Sequence, residues 1–209
     1  GKSFCDYNME VSRLLEKCIN LPDAKKEYAI HKARLHALAD TLWESRKGNE
    51  GMNETRLIDR CANCSTGLLS TCWINMLSYE VSDGVPDEYK ERFERFLGKD
   101  NLEQRQSICI LVGQTAYLFA KDSEWTKKHI IPFLKSEDEN EFTAAWEGMA
   151  WFSRRLNVNL ADSMLDIYRV AVKRLSSLKG EARKGFVQLY TILMIYAIEN
   201  PIKFDVPQL

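Results

Sequence analysis

Two cysteines, Cys61 and Cys64, have the C-x-x-C spacing that occurs in zinc sites and in redox-active thiol sites. A zinc site needs a second close pair of ligands, and the three histidines of the chain lie far away in sequence. A redox motif opens a helix after a strand, and no strand pattern precedes Cys61. Both cysteines also fall on one apolar helical face with Leu68, so we expect buried core residues. A small metal- or thiol-dependent enzyme using Cys61, Cys64 and His31 stays an alternative.

Two further polar pairs have helical spacing, Glu27 with His31 and His36 with Asp40, each four residues apart. On a helical wheel the two pairs point in nearly opposite directions, so they do not form one metal site, and we expect surface ion pairs. The metalloprotease, serine-hydrolase and nucleotide-binding motifs do not occur. We therefore predict a non-enzymatic chain with no catalytic, metal-binding or cofactor-binding residues.

Charge is balanced overall and uneven locally. The formal net charge of −1 argues against nucleic-acid binding. Residues 135–141 carry a net charge of −3, whereas residues 154–205 carry +4. This contrast is typical of a solvated surface, but it also fits a docking surface for a protein, where aromatic residues supply affinity. The candidates for protein binding are Trp125, Trp151, Arg154 and Arg155, with core packing as the alternative role of both tryptophans.

The elements that must position these residues are all helical. Few Pro and Gly residues occur, and most of the Pro residues separate segments in which apolar residues recur with the helical period. The predicted helices cover residues 4–19, 22–47, 54–79, 87–97, 101–121, 123–131, 142–156, 159–178 and 181–198. In the predicted helix over residues 54–79, Ser65-Thr66-Gly67 is the segment most able to interrupt the helix. We predict an all-α fold, an irregular HEAT/armadillo-like stack of helical hairpins with about 8–9 helices.

A faint repeat supports stacking. Phe96-Leu97 and Phe133-Leu134 lie 37 residues apart, and each precedes a helix with a central glycine, Gly113 or Gly148. A weaker match at a spacing of 44 aligns Phe142 with Phe186. Periods near 40 are typical of paired-helix repeats, although an irregular bundle is the alternative. We divide the chain into an N-terminal helical part, residues 1–82, and a C-terminal HEAT-like part, residues 83–209, or one continuous domain.

The chain has neither a signal segment nor an apolar run of about 18 residues that could cross a bilayer. Residues 186–198, the most apolar stretch, indicate a buried helix. Six cysteines are too sparse for a disulfide scaffold, so we predict a reducing, cytoplasmic location. The start at Gly1-Lys2-Ser3, without Met, indicates a piece of a longer protein.

Several segments resemble a known family. These are Val112-Gly113-Gln114-Thr115-Ala116-Tyr117-Leu118-Phe119, Trp125, Ile131-Pro132-Phe133-Leu134 and Ala145-Trp146-Glu147-Gly148-Met149. They are similar to a helical domain of unknown function at the C-terminal end of large bacterial sirtuin-like antiphage proteins. The similarity covers roughly residues 88–201. It implies a helical region that senses a phage component, while an NAD-hydrolysing domain lies outside this chain. No catalytic residue transfers.

The leading hypothesis is a protein-recognition or scaffold module, the sensor or C-terminal part of a bacterial antiphage effector. Its partner would be a protein such as a phage structural protein, without membrane or nucleic acid. The alternatives are a helical oligomerisation domain and the small enzyme described above.

Overall fold

The computed structural model describes residues 7–46, 56–99, 101, 103–152 and 158–199. Every regular element in these ranges is a helix, which confirms the predicted all-α class. The α-helices are α1 (Asn8–Ile19), α2 (Ala24–Ser45), α3 (Leu57–Ala62), α4 (Ser65–Tyr79), α5 (Asp87–Leu97), α6 (Gln104–Gly113), α7 (Thr115–Lys121), α8 (Ser123–His129), α9 (Glu139–Phe152), α10 (Val158–Ala171) and α11 (Gly180–Glu199). Two 3₁₀ helices cover Ile131–Lys135 and Val172–Ser177.

The described residues contain 11 α-helices, more than the predicted 8–9, because two expected helices are each divided. The first break lies at Asn63 and Cys64, slightly before the segment expected to interrupt the helix. Cys64 has extended backbone and acts as the N-cap of α4, its Sγ accepting a hydrogen bond from the Gly67 N–H at 3.3 Å. The second break is the turn at Gln114 between α6 and α7.

Polar side chains start other helices. Asn101 was expected to cap a helix, and its Oδ1 accepts a hydrogen bond from the Glu103 N–H at 3.1 Å, just before α6. For α8, Ser123 was the expected cap, but the residue before it serves instead. The Asp122 carboxylate accepts a hydrogen bond from the Trp125 N–H at 3.0 Å. Gly180 has a φ of 52°, which glycine adopts without strain where one helix stops and the next begins.

The chain divides into two compact units, residues 1–111 and residues 112–209. The boundary lies later than the one placed after residue 82 from sequence, because α5 belongs to the first unit. This helix packs against α4, and its aromatic residues Tyr89, Phe93 and Phe96 are fully buried.

The first unit is built around α4, which contacts α1, α2, α3 and α5. Most of α4 is buried, including Trp73 and Leu69. Gly67 allows α4 to approach α3 closely, since a Cβ there would lie only 2.2 Å from the carbonyl oxygen of Cys61. A central helix surrounded by others provides one continuous core.

The second unit has α9 as a middle layer. Trp146 on one face contacts Tyr168 and Phe186, and its Nε1–H donates to the Leu134 carbonyl at 2.9 Å. Buried small residues allow close packing: α11 lies against α9, where a Cβ on Gly185 would come within 2.3 Å of the Ala150 Cβ. A helix buried on two sides is what stacked helical layers require.

In the part of the chain that the structure describes, every helix is too short or too polar to cross a lipid bilayer.

Candidate functional site

The four predicted protein-binding residues differ in solvent exposure and in whether they lie in the described ranges. Trp151, near the end of α9, is 41% exposed. Trp125 is only 7% exposed, and its indole stacks on His129 with ring centroids 5.5 Å apart, so it has little surface to offer a partner. Arg154 and Arg155 lie outside the described residues. Trp151 is therefore the candidate that the described part of the chain leaves accessible.

A more extensive apolar surface lies on α11. We define its outer face by Val187, Thr191, Ile192, Ile195 and Ile198, all of which are exposed. The opposite face of the same helix fills the core of the second unit with Phe186, Leu189, Leu193 and Ala197. The sequence indicated a buried helix over residues 186–198, whereas the structure buries one side and exposes the other. Exposed apolar patches of this kind mark interaction surfaces.

A groove of about 560 Å³ lies beside the outer face. Its lining combines Ala150 of α9 with Gly185, Val187, Leu189 and Ile192 of α11, together with two polar residues of the same helix. Trp151 follows Ala150 directly in α9. Because Gly185 and Ala150 have minimal side chains, the two helices meet closely at this point, and larger apolar side chains flank them.

The ends of the outer face carry opposite charges. Arg183 and Lys184 are exposed near the start of α11, and Glu199 is exposed at its last residue. Lys184 pairs with Glu181 on the same helix at 2.8 Å, but both side chains are more than half exposed, so this pair contributes little to stability. Outside the core, α11 therefore presents a start where two basic residues outnumber Glu181, a mainly apolar middle and an acidic end.

Sequence reasoning missed a polar cluster in the first unit, formed by Tyr28, His36, Glu80 and Tyr89. The Tyr28 hydroxyl lies 2.6 Å from Glu80 Oε1, 2.6 Å from the Tyr89 hydroxyl and 2.9 Å from His36 Nε2. The Tyr89 hydroxyl donates to the same Glu80 oxygen at 2.9 Å. Lys32 completes the cluster through an ion pair with Glu80 at 2.7 Å. These contacts connect α2, α5 and the C-terminal end of α4.

Burial controls the protonation of this cluster. Burial lowers the pKa of His36, and the nearby cations Arg92 and Lys32 lower it further, against the opposing effect of Glu88. Burial raises the pKa of Glu80, but hydrogen bonds from Lys32, Tyr28 and Tyr89 outweigh it and leave this pKa below its usual value. The pKa values of Tyr28 and Tyr89 are raised, chiefly by burial. The arrangement favours a neutral imidazole, an ionised carboxylate and protonated phenols, which fits a structural tie between helices.

The prediction that His36 and Asp40 form an ion pair on the surface is wrong. His36 is buried and faces the two tyrosines, because the first unit covers that side of α2. Asp40 instead receives hydrogen bonds from Arg92 at 2.7 and 3.1 Å, while the Arg92 guanidinium lies 4.3 Å from the Trp73 ring centroid. The other expected pair, Glu27 with His31, occurs on the surface at 3.8 Å.

Cys61 and Cys64 are buried, as the core interpretation predicted. Cys61 Sγ lies 3.6 Å from the Gln106 carbonyl oxygen, and Cys64 caps α4. His31 is exposed on α2. Within the described ranges, His, Cys, Asp and Glu side chains do not gather in groups of three or more that could hold a metal ion. The structure thus does not unite Cys61, Cys64 and His31.

A second cavity, of about 350 Å³, lies in the first unit. Its walls are mainly apolar and include Ile19, Leu35, Leu38 and Tyr79. The charged or ionisable residues around it are Cys18, Glu27, Tyr28, His31, Arg34 and Tyr79. His31 faces Glu27 on the same helix, with His31 Nε2 3.8 Å from Glu27 Oε2.

Comparison of the chain with protein-family models, with curated proteins and with solved structures finds no match.

Proposed function

We propose that this chain is a non-enzymatic protein-recognition or scaffold module that docks another polypeptide through the outer face of α11. The observation that carries the proposal is the exposure of Val187, Ile192, Ile195 and Ile198 on a helix whose other side already fills the core. Partial burial of each side chain by a partner would contribute on the order of 1 kcal/mol. The adjoining groove extends the same surface.

The packing logic of stacked helices supports this interpretation. The terminal layer of such a stack needs a polar outer face to stay in water. The outer face of α11 is apolar at its centre, so it has the character of an internal layer that lacks its neighbour. A docked helix or loop would supply that neighbour.

The resemblance to the C-terminal domain of sirtuin-like antiphage proteins suggests a cellular role for the chain. We propose that the chain is the sensor or C-terminal part of a bacterial antiphage effector whose NAD-hydrolysing domain lies elsewhere. A cytoplasmic location is supported by the cysteine content, since six cysteines in a chain of this length are too sparse for a disulfide scaffold. The near-neutral charge favours a protein partner over nucleic acid.

Binding of purified capsid and tail proteins from susceptible phages tests the proposal. Ile195→Asp places a charge in the middle of the outer face and is expected to abolish capture. Ile30→Asp is the matched control, since Ile30 is also a helical isoleucine and is 63% exposed, but lies on α2. Equal capture by both variants, or capture by neither the variants nor the unaltered chain, would count against docking through α11.

A further inference from the structure

We infer that the occupant of the outer face of α11 is the same face of a second copy of this chain, with the two helices antiparallel. The inference rests on the proposed function, because it needs this face to dock a polypeptide. The result would be a symmetric dimer in which each α11 supplies the layer that the other lacks.

Charge complementarity selects a second copy. A two-fold axis between residues 191 and 192 places Lys184 of one helix opposite Glu199 of the other, and the same pair forms again at the other end. Arg183 lies beside Lys184 and adds to the basic end. The segment between Lys184 and Glu199 spans about 22 Å, so the two ionic contacts flank about four helical turns. The exposed residues of these turns include Ile192 and Ile195 together with Gln188 and Thr191.

The charges near the start of α11 are mixed, whereas the acidic last residue opposes the dipole of the helix. A helix favours acidic residues near its N-terminus and basic residues near its C-terminus. Glu181 lies in the first turn, as the dipole favours, and Arg183 and Lys184 follow it. The last residue is Glu199, and the described part of the last turn has no basic side chain. An acidic last turn does not stabilise the isolated helix, whereas basic residues of a partner beside it would. An antiparallel copy also places each end of the dipole beside the opposite end.

The spacing of residues along α11 fits a helix seam. Lys184, Gln188, Thr191, Ile195 and Ile198 alternate steps of four and three, the spacing at which two helices keep one line of contact. The antiparallel register puts Thr191 against Ile192 at the centre and Ile195 against Gln188. The surface of one helix pair is smaller than a standard stable interface, so we expect a dimer with a micromolar dissociation constant.

Sedimentation equilibrium of the intact chain, from about 1 μM to about 1 mM, tests the inference. The unaltered chain is expected to dimerise. Glu199→Lys alone, or Arg183→Glu with Lys184→Glu, brings like charges together at both ends and should weaken dimerisation about tenfold. All three substitutions together restore opposite charges and should restore the dissociation constant. A parallel or unrelated contact would not produce this rescue.

Glu91→Lys is the matched control, a single charge reversal at an exposed position of α5, and should leave dimerisation unchanged. Circular dichroism verifies that every variant remains helical. A strict monomer, or a dimer insensitive to the charge reversals, would overturn the inference. If such a monomer still bound a phage protein in an Ile195-dependent manner, the proposed function would stand with a foreign occupant. Loss of both properties would remove the two proposals together.

Discussion

The hydroxyl groups of Tyr28 and Tyr89 lie 2.6 Å apart, although the two residues are 61 positions apart in the chain. Both hydroxyls also contact Glu80 Oε1 and His36 Nε2. At most three hydrogens are available for these contacts, one on each hydroxyl and at most one on His36 Nε2. The groups therefore share their hydrogen bonds, and each interaction depends on the others.

Removing either hydroxyl should destabilise the first unit. Tyr28→Phe and Tyr89→Phe are each expected to lower the free energy of unfolding by about 1–3 kcal/mol, because a buried partner loses a hydrogen bond. The double variant should lose less than the sum of the two, since the contacts are shared. Urea unfolding measures all three values. Tyr190→Phe, in the second unit, is the control, and strictly additive losses would disprove the coupling.

The free energy of unfolding should fall as the pH drops below the ordinary pKa of histidine. Burial lowers the pKa of His36 in the folded chain from its ordinary value of 6.5, so the unfolded chain takes up a proton that the folded chain refuses. Stability is therefore fully present above about pH 6.5 and declines as the pH falls through the folded pKa. Glu80, whose pKa is also lowered, adds a second decline at more acidic pH.

Urea unfolding at about pH 7.5 and about pH 5.5 measures the histidine effect. In His36→Gln the loss of stability between these two pH values should be smaller than in the unaltered chain. His31→Gln removes an exposed imidazole from the same helix and should preserve the full loss. An unchanged pH dependence in His36→Gln would refute the assignment.

The contact between α9 and α11 should not tolerate a methyl group at residue 185. In Gly185→Ala the new Cβ would lie 2.3 Å from the Ala150 Cβ, so we expect a loss of about 1–3 kcal/mol in the free energy of unfolding. Ala150→Gly in the same chain removes one clashing atom and should recover part of the loss. The Ala150 Cα, at 2.8 Å, prevents a full recovery. Gly98→Ala is the control, because its nearest neighbour lies at 3.3 Å; equal losses in both single variants would contradict this.

Arg92 should not be replaceable by lysine. Arg92→Lys keeps the charge but loses the paired hydrogen bonds to Asp40 and the stacking on Trp73, and we expect a cost of about 1–2 kcal/mol. Arg56→Lys is the matched control, since Arg56 also makes two hydrogen bonds to one carboxylate, that of Asp59, but in an exposed position. Thermal unfolding compares them. A similar shift in both melting temperatures would show that burial of the Arg92 pair has no effect.

The helices were predictable from the local periodicity of apolar residues. The breaks inside two of them were not predictable in this way. Cys64 is an unusual N-cap, since a thiol accepts hydrogen bonds weakly, and the apolar pattern from Cys61 to Leu68 continues through the break. The exposure of α11 was hidden for a related reason. Apolar residues occupy both of its sides, and the packing of α9 and α10 determines that Phe186 is buried and Ile195 is not.

The cluster around His36 depends on long-range contacts that no local pattern encodes. His36 and Asp40 have the spacing of a helical pair, so the sequence suggested that they bind each other. In the structure, Tyr89 of α5 contacts His36, and Arg92 of α5 donates hydrogen bonds to Asp40. Burial next to α4 excludes water from that side of α2. The one available signal was the aromatic and charged pattern of α5 itself.

The sulfur cap on α4 has a consequence for chemical labelling. Cys18 is exposed, whereas Cys64 is fully buried and holds the first turn of α4. An alkylating reagent should modify Cys18 at once but reach Cys64 only after the junction between α3 and α4 has opened. Adduct formation at Cys64, followed by mass spectrometry of its peptide, would thus report how often the centre of the first unit opens without global denaturation.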